Sequence, residues 1–255
     1  MLCIQTWKKY LPEYNINVLD YSNLKYYLGE PLFSRIICKE MTLPIQADAI
    51  RVAILKNYGG IWFDVDTIIL GREFISELKD TKLAMFGEEM NKTQHIGFIY
   101  ACKNLFLLNT WLEQIIKNIN IYKKLYTKKR NNNDNKLKIL FSEINKWNYL
   151  GNGIIDPILK NITDKKLYLR LDKYKMNIFP EYKYFENTSL DFMSRYRLFY
   201  FQSGDPKYII NNNKGIILLH NSFTPILYKK MTAKKFLRQD ILLSKLLAQI
   251  LNYTL

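Results

Sequence analysis

Nothing in these 255 residues approaches the ~20 consecutive apolar positions of a membrane-spanning helix, and no Pro- or Ser-rich linker divides the chain. The first absence argues against a helical span. The second leaves a single domain, residues 1–255, as the default. Met1 to Tyr14 has no basic-then-apolar leader pattern, so the chain is expected in the cytoplasm or at the inner face of the membrane. Cysteine is scarce: Cys3, Cys38 and Cys102 are odd in number and widely spaced, which fits reduced packing residues and neither a disulfide framework nor a zinc knuckle. Histidine occurs only at His95 and His220, and a lone histidine is more often a packed core residue than a ligand. No internal repeat is apparent.

Acidic residues are also few, 23 against 38 Lys and Arg, for a formal net charge of +15. Such an excess invites a nucleic-acid partner. The cations are scattered, however, in a chain rich in Lys, Asn, Ile and Tyr, the bias of AT-rich coding, so no nucleic-acid partner is expected. Lys123-Lys124 and Lys128-Lys129-Arg130, followed by Asn131 to Asn133, read as a solvated basic surface insertion over 123–136, or as an attraction to an anionic leaflet or acidic lipid-linked acceptor.

What is present is a full core, with 48% hydrophobic and 15% aromatic residues, in an alternating α and β pattern. The stretch Gln46 to Leu70 is the most informative. Ala47, Ile50, Ile54 and Leu55 recur at helical spacing, Gly59-Gly60 ends the helix, and Ile61-Trp62-Phe63 starts a short buried strand. Asp64 and Asp66 follow. Strand side chains alternate faces, so both carboxylates can point the same way while Val65 points into the core. Two like charges this close are costly unless a cation joins them. Hard carboxylate oxygens suit Mg2+, Mn2+ or Ca2+ and leave positions open for water and substrate phosphates.

Further strands are expected at Leu83–Phe86, at Ile96–Ala101 leading into a helix over Leu105 to Asn118, at Lys175–Pro180 and at Lys214–His220. A glycine turn at Gly151-Asn152-Gly153 precedes a helix and serves either helix entry or close backbone approach to a ligand. The segment 232–255 reads as an amphipathic C-terminal helix, packed on the core or lying on a membrane.

The spacing Asp48, Arg51, Gly59-Gly60, Trp62, Asp64, Asp66 resembles glycosyltransferases with a DXD motif. These are the capsular polysaccharide synthesis and Och1-like mannosyltransferase group and the catalytic core of glucosylating clostridial toxins. Trp7 to Tyr14 is similar to that group's early "SWKKYLPDY" segment, and Leu218 to Phe223 to its late His-x-Ser-Trp segment. The resemblance implies an α/β, GT-A-like mixed sheet flanked by helices, and a sugar moved from a UDP- or GDP-linked donor to a saccharide or lipid-linked acceptor, with retention. It implies that Asp64, Asp66 and His220 hold Mn2+ or Mg2+. It also implies that Asp48 and Arg51 contact the donor sugar and diphosphate, that Gly60 and Trp62 lie by the nucleotide, and that Asn221 and Ser222 lie near the diphosphate.

Two departures stand out. Met1-Leu2-Cys3-Ile4 begins after the position of the family's usual first strand, and Phe223 replaces the late Trp, losing an indole N–H donor. Two other readings remain open. One is an inactive nucleotide-sugar-binding module. The other is a haloacid-dehalogenase-type phosphatase with Asp64 as nucleophile and Asp66 as general acid.

Overall fold

The computed structural model describes residues 1–87, 93–131, 135–144, 146 and 148–253. Within it the chain divides into two compact units. The first comprises Met1–Asn17, Phe63–Lys79 and Leu171–Leu255, and the second Val18–Trp62 and Asp80–Arg170. The architecture is mixed α/β, with six strands among the described residues: β1 Gly60–Phe63, β2 Thr67–Ile69, β3 Leu83–Gly87, β4 Gln94–Ala101, β5 Leu169–Asp172 and β6 Ile216–Leu218. No helix among the described residues is long and apolar enough to cross a membrane.

The second unit holds most of a four-stranded sheet in the order β1-β4-β3-β5. Strands β3 and β4 run antiparallel from Leu83↔Ala101 to Met85↔Ile99, where the register jumps to Phe86↔His95 and leaves Ile96, Gly97 and Phe98 as a bulge. Against this sheet lies the helix Leu43–Tyr58, opened by Pro44 in its first turn and closed by Gly59. Gly59 has φ +70°, and a Cβ there would stand 2.7 Å from the Lys103 amide nitrogen, so both conformation and space require glycine. The helix is buried on nearly every side, including the polar Gln46, Asp48 and Arg51. Such a helix belongs to a core rather than a surface.

Trp111, fully buried in this core, donates its indole N–H to Leu150 O at 2.9 Å. The basic stretch Lys123 to Arg130 forms the end of a long helix, Phe106–Asn131, followed by the helix Asn135–Ile144. Glu88 and Glu89 after β3, and Asn132 to Asp134 of the expected insertion, lie outside the described residues.

In the first unit β2 and β6 form an antiparallel ribbon, Thr67↔Leu218 to Ile69↔Ile216. Alternate residues of such a ribbon turn N–H and C=O away from the partner strand. The helix Leu2–Tyr10 satisfies that outer edge with side chains. Trp7 Nε1 donates to Thr67 O at 2.7 Å, and Ile69 N donates to Thr6 Oγ1 at 2.9 Å, both bonds buried. This explains the Trp in the early segment: it binds the backbone directly after Asp66. Trp7→Phe should therefore destabilise by about 1–3 kcal/mol, because it leaves the Thr67 carbonyl buried without its donor. Urea unfolding checks this, and an unchanged midpoint would show the bond to be dispensable.

Not every expected element forms. Lys175 to Pro180 is no strand. Lys173–Asn177 is a run of turns with Asn177 at φ +52°, and the helix Pro180–Tyr184 follows. The buried Met176 and Ile178 gave the segment its strand-like pattern. Its backbone joins the β6 region through isolated bonds, Lys214 N to Met176 O at 3.2 Å, Asn213 Nδ2 to Asn177 O at 2.8 Å and Leu218 N to Ile178 O at 3.1 Å. Strand β5 was not anticipated. The C-terminal segment forms two helices, Ala233–Leu237 and Leu242–Ile250. The second buries Leu242, Leu243, Leu246, Leu247 and Ile250 in the core of the first unit.

Candidate functional site

Strand β1 ends at Phe63, and Asp64 to Asp66 form a turn closed by Thr67 N donating to Asp64 O at 2.9 Å. Val65 is 49% exposed at its tip. The expectation that strand alternation sends Val65 into the core is corrected: a turn, not a pleat, carries the carboxylates. Their orientation comes from a distant segment. Asn221 N donates to Asp66 Oδ2 at 2.9 Å, and Leu219 N donates to Asp66 O at 3.4 Å. The corner after β6 is thus tied to both the side chain and the backbone of Asp66. The Asp66 charge reaches its neighbours. The Cys3 thiol is pushed up to about 12, first by burial and then by Asp66, and the Tyr196 hydroxyl is also raised, chiefly by burial.

His220 opens this corner, and its imidazole stacks on Phe179 at 5.1 Å and meets the edge of Phe192 at 4.6 Å, with Phe223 at 5.5 Å and Tyr196 at 5.8 Å. Burial, and secondarily the Lys173 charge, lower its pKa to about 4, so the ring is neutral near pH 7. Phe223, where the related motif has Trp, packs in this same aromatic cluster, and its carbonyl accepts from Arg197 Nε at 3.0 Å. Asn221 and Ser222 are exposed on a single 3-10 turn. They offer polar groups beside Asp66.

Behind the cluster lies a carboxyl that the sequence reading missed. Glu181 is fully buried; its Oε2 accepts from Tyr200 OH at 3.2 Å, and its Oε1 has no hydrogen-bond partner among the described residues. Burial pushes its pKa up to about 8. The available signal was an acid set among aromatics in Phe179-Pro180-Glu181-Tyr182.

Within the second unit Asp48 and Arg51 form a buried ion pair at 3.3 Å, with side chains 5% and 6% exposed. Arg51 also donates Nη1 to Ile96 O on the β4 bulge and Nε to Ala47 O at 3.3 Å, and its guanidinium lies 5.6 Å from the Trp62 ring centroid. Gly151, at the start of the helix Asn152–Leu159, completes the packing: a Cβ there would sit 2.6 Å from Asp48 Oδ2. The glycine turn therefore permits close approach to Asp48. Gly60, exposed with φ +94°, begins β1.

A buried pair is costly to break from one side only. Asp48→Asn or Arg51→Met alone should each destabilise by ~3–5 kcal/mol, while the double variant should cost clearly less than the sum. A double-mutant cycle in urea reads this, and simple additivity would refute the coupling.

A polar knot nearby was also missed. Asn152 Nδ2 donates to Gln94 O at 2.6 Å and to Asp156 Oδ1 at 3.1 Å, and Gln94 N donates to the same Asp156 oxygen at 3.1 Å. His95, next to Gln94, accepts at Nδ1 from Gly97 N at 3.3 Å within the bulge.

Among the described residues no group of three or more His, Cys, Asp or Glu side chains is arranged to hold a metal ion. His220, expected as the third ligand, is therefore not grouped with the two carboxylates, and the donor set Asp64 and Asp66 alone still fits a hard divalent cation of the kind that uses one or two carboxylates and draws its remaining ligands from water and substrate oxygens. Cys3, Cys38 and Cys102 are free thiols.

No curated protein and no solved structure matches the chain. The family model for capsular polysaccharide synthesis proteins matches residues 1–135, a span that includes the Trp7 helix, the Asp48–Arg51 pair and the Asp64–Asp66 turn. By that match, over more than half its length, the chain belongs to the capsular polysaccharide synthesis protein family.

Proposed function

We propose that this protein is a metal-dependent glycosyltransferase that moves a sugar from a UDP- or GDP-linked donor to a saccharide or lipid-linked acceptor, on a GT-A-like fold and with retention. The observation that carries the reading is the hydrogen bond from Asn221 N to Asp66 Oδ2. It joins the acidic turn to the corner that the motif resemblance assigns to the diphosphate, from opposite ends of the sequence. Membership of a capsule-synthesis family supports the same chemistry.

In this reading Asp64 and Asp66 hold a divalent cation, Mn2+ or Mg2+, which when bound supplies neutralising charge at the leaving nucleoside diphosphate. Asn221 and Ser222 donate to diphosphate oxygens. Asp48 accepts from donor-sugar hydroxyls, Arg51 balances its charge and favours the diphosphate, and Gly60 and Trp62 border the nucleotide. Neutral His220, clamped among aromatic rings, holds the corner that orients Asp66.

A screen of nucleotide-sugar donors for release of UDP or GDP tests the proposal. One donor should be turned over, chelator should abolish the release, and Mn2+ or Mg2+ should restore it. Donor binding without release, given acceptor, would favour the inactive binding module. Full turnover in chelator would remove the metal from the scheme.

A further inference from the structure

We propose that the segment Pro225 to Arg238 is a docking surface for an anionic lipid bilayer. It begins one residue after the Asn221–Phe223 turn that holds Asp66. The helix Ile226–Lys229 presents two adjacent apolar side chains to solvent, Ile226 at 70% and Leu227 at 63% exposure. Tyr228 faces the other way and anchors the helix, stacking on Phe201 at 5.0 Å and meeting the edge of Phe236 at 6.1 Å. The apolar pair is thus held outward on a fixed base.

The same segment carries exposed Lys229, Lys230, Lys234, Lys235 and Arg238, and no acidic residue occurs between Asp205 and Asp240 in the sequence. Apolar side chains flanked by cations suit the interface of an anionic membrane, where the chains enter the headgroup boundary and the cations meet lipid phosphates. A second copy of this chain fits poorly, since a symmetric contact would set the same five cations against each other. Nucleic acid would use the lysines but leave Ile226 and Leu227 uncovered. A lipid-linked acceptor beside Asp66 would follow from the transferase reading; the docking surface itself does not rest on it.

The test is co-sedimentation of the full chain with phosphatidylcholine vesicles, with and without phosphatidylglycerol. Binding should require phosphatidylglycerol and weaken with salt. The double variant Ile226→Ser/Leu227→Ser keeps every charge, so it separates this surface from the general attraction of a protein of net charge +15. It should lose at least about tenfold in affinity. The quadruple variant Lys229→Gln/Lys230→Gln/Lys234→Gln/Lys235→Gln should lose about fivefold per cation removed. All six positions are exposed, and an unchanged thermal midpoint checks that the fold is kept. Three results would overturn the proposal: no binding to phosphatidylglycerol vesicles, unaltered binding by the Ile226/Leu227 variant, or a dimer in solution that the same substitutions dissolve. The assay needs no turnover, so its failure is distinct from failure of the transferase reading.

Discussion

Asp66→Asn is expected to lower turnover at least about a hundredfold while the protein stays folded. The amide oxygen still accepts the Asn221 N–H, now at Asp66 Oδ2, so the corner keeps its tie. What disappears is the negative charge. An amide is a far weaker ligand for a hard divalent cation than a carboxylate, and removing one preorganised charge-stabilising group from an active site typically costs ~10²–10³ in rate. Asp64→Asn should behave similarly, with a larger rise in the Mn2+ concentration needed for half-maximal activity than in donor KM. Turnover by Asp66→Asn equal to the parent would sink the assignment of the acidic turn. Unfolding of the variant would instead show that the charge is structural, and circular dichroism separates the two outcomes.

Glu181→Gln should make the protein more stable than the parent at neutral and alkaline pH. In the folded chain this carboxyl titrates near 8, against 4.5 when free. Below pH 4.5 it is protonated in both states and costs nothing. As pH rises from 4.5 toward 8, the unfolded chain releases a proton that the folded chain retains, so stability falls by about 1.4 kcal/mol per pH unit. Near pH 7 the deficit is on the order of 3 kcal/mol. The glutamine is isosteric, does not titrate, and offers its carbonyl to Tyr200 OH in place of Oε2. Thermal midpoints of parent and variant should coincide near pH 4.5 and separate by several degrees at pH 8, the variant higher. Parallel curves across that range would show that the buried carboxyl is already ionised. Tyr196 and Tyr200 line the path from Glu181 toward His220, so a shift in the pH optimum of any turnover would accompany the stability change if this acid also steadies the corner.

Local pattern alone was enough for the helix Leu43–Tyr58, its glycine stop, and strands β1, β3, β4 and β6, because each depends on side-chain periodicity and on a φ that only glycine takes easily. The same pattern failed at Lys175–Pro180, where burial of Met176 and Ile178 mimics a strand but the backbone finds its partners one bond at a time. It failed again at Val65, since two alternating acids read the same whether a strand continues or turns. The basic run Lys123 to Arg130, whose charge marks a solvated segment, takes helical form at the end of Phe106–Asn131.

The motif residues Asp64, Asp66, Asp48, Arg51 and His220, and the capsule-synthesis resemblance they carry, were determined by the sequence itself, because short-range spacing preserves them whatever the rest of the chain does. Tertiary structure alone decided their surroundings. It buried the Asp48–Arg51 pair against the β4 bulge, set Trp7 as donor to the residue after Asp66, tied Asp66 to Asn221, and enclosed Glu181 where its proton is hard to lose. Burial and hydrogen-bond pairing depend on which distant segments meet, and that is a property of the packed chain that no local window of residues contains.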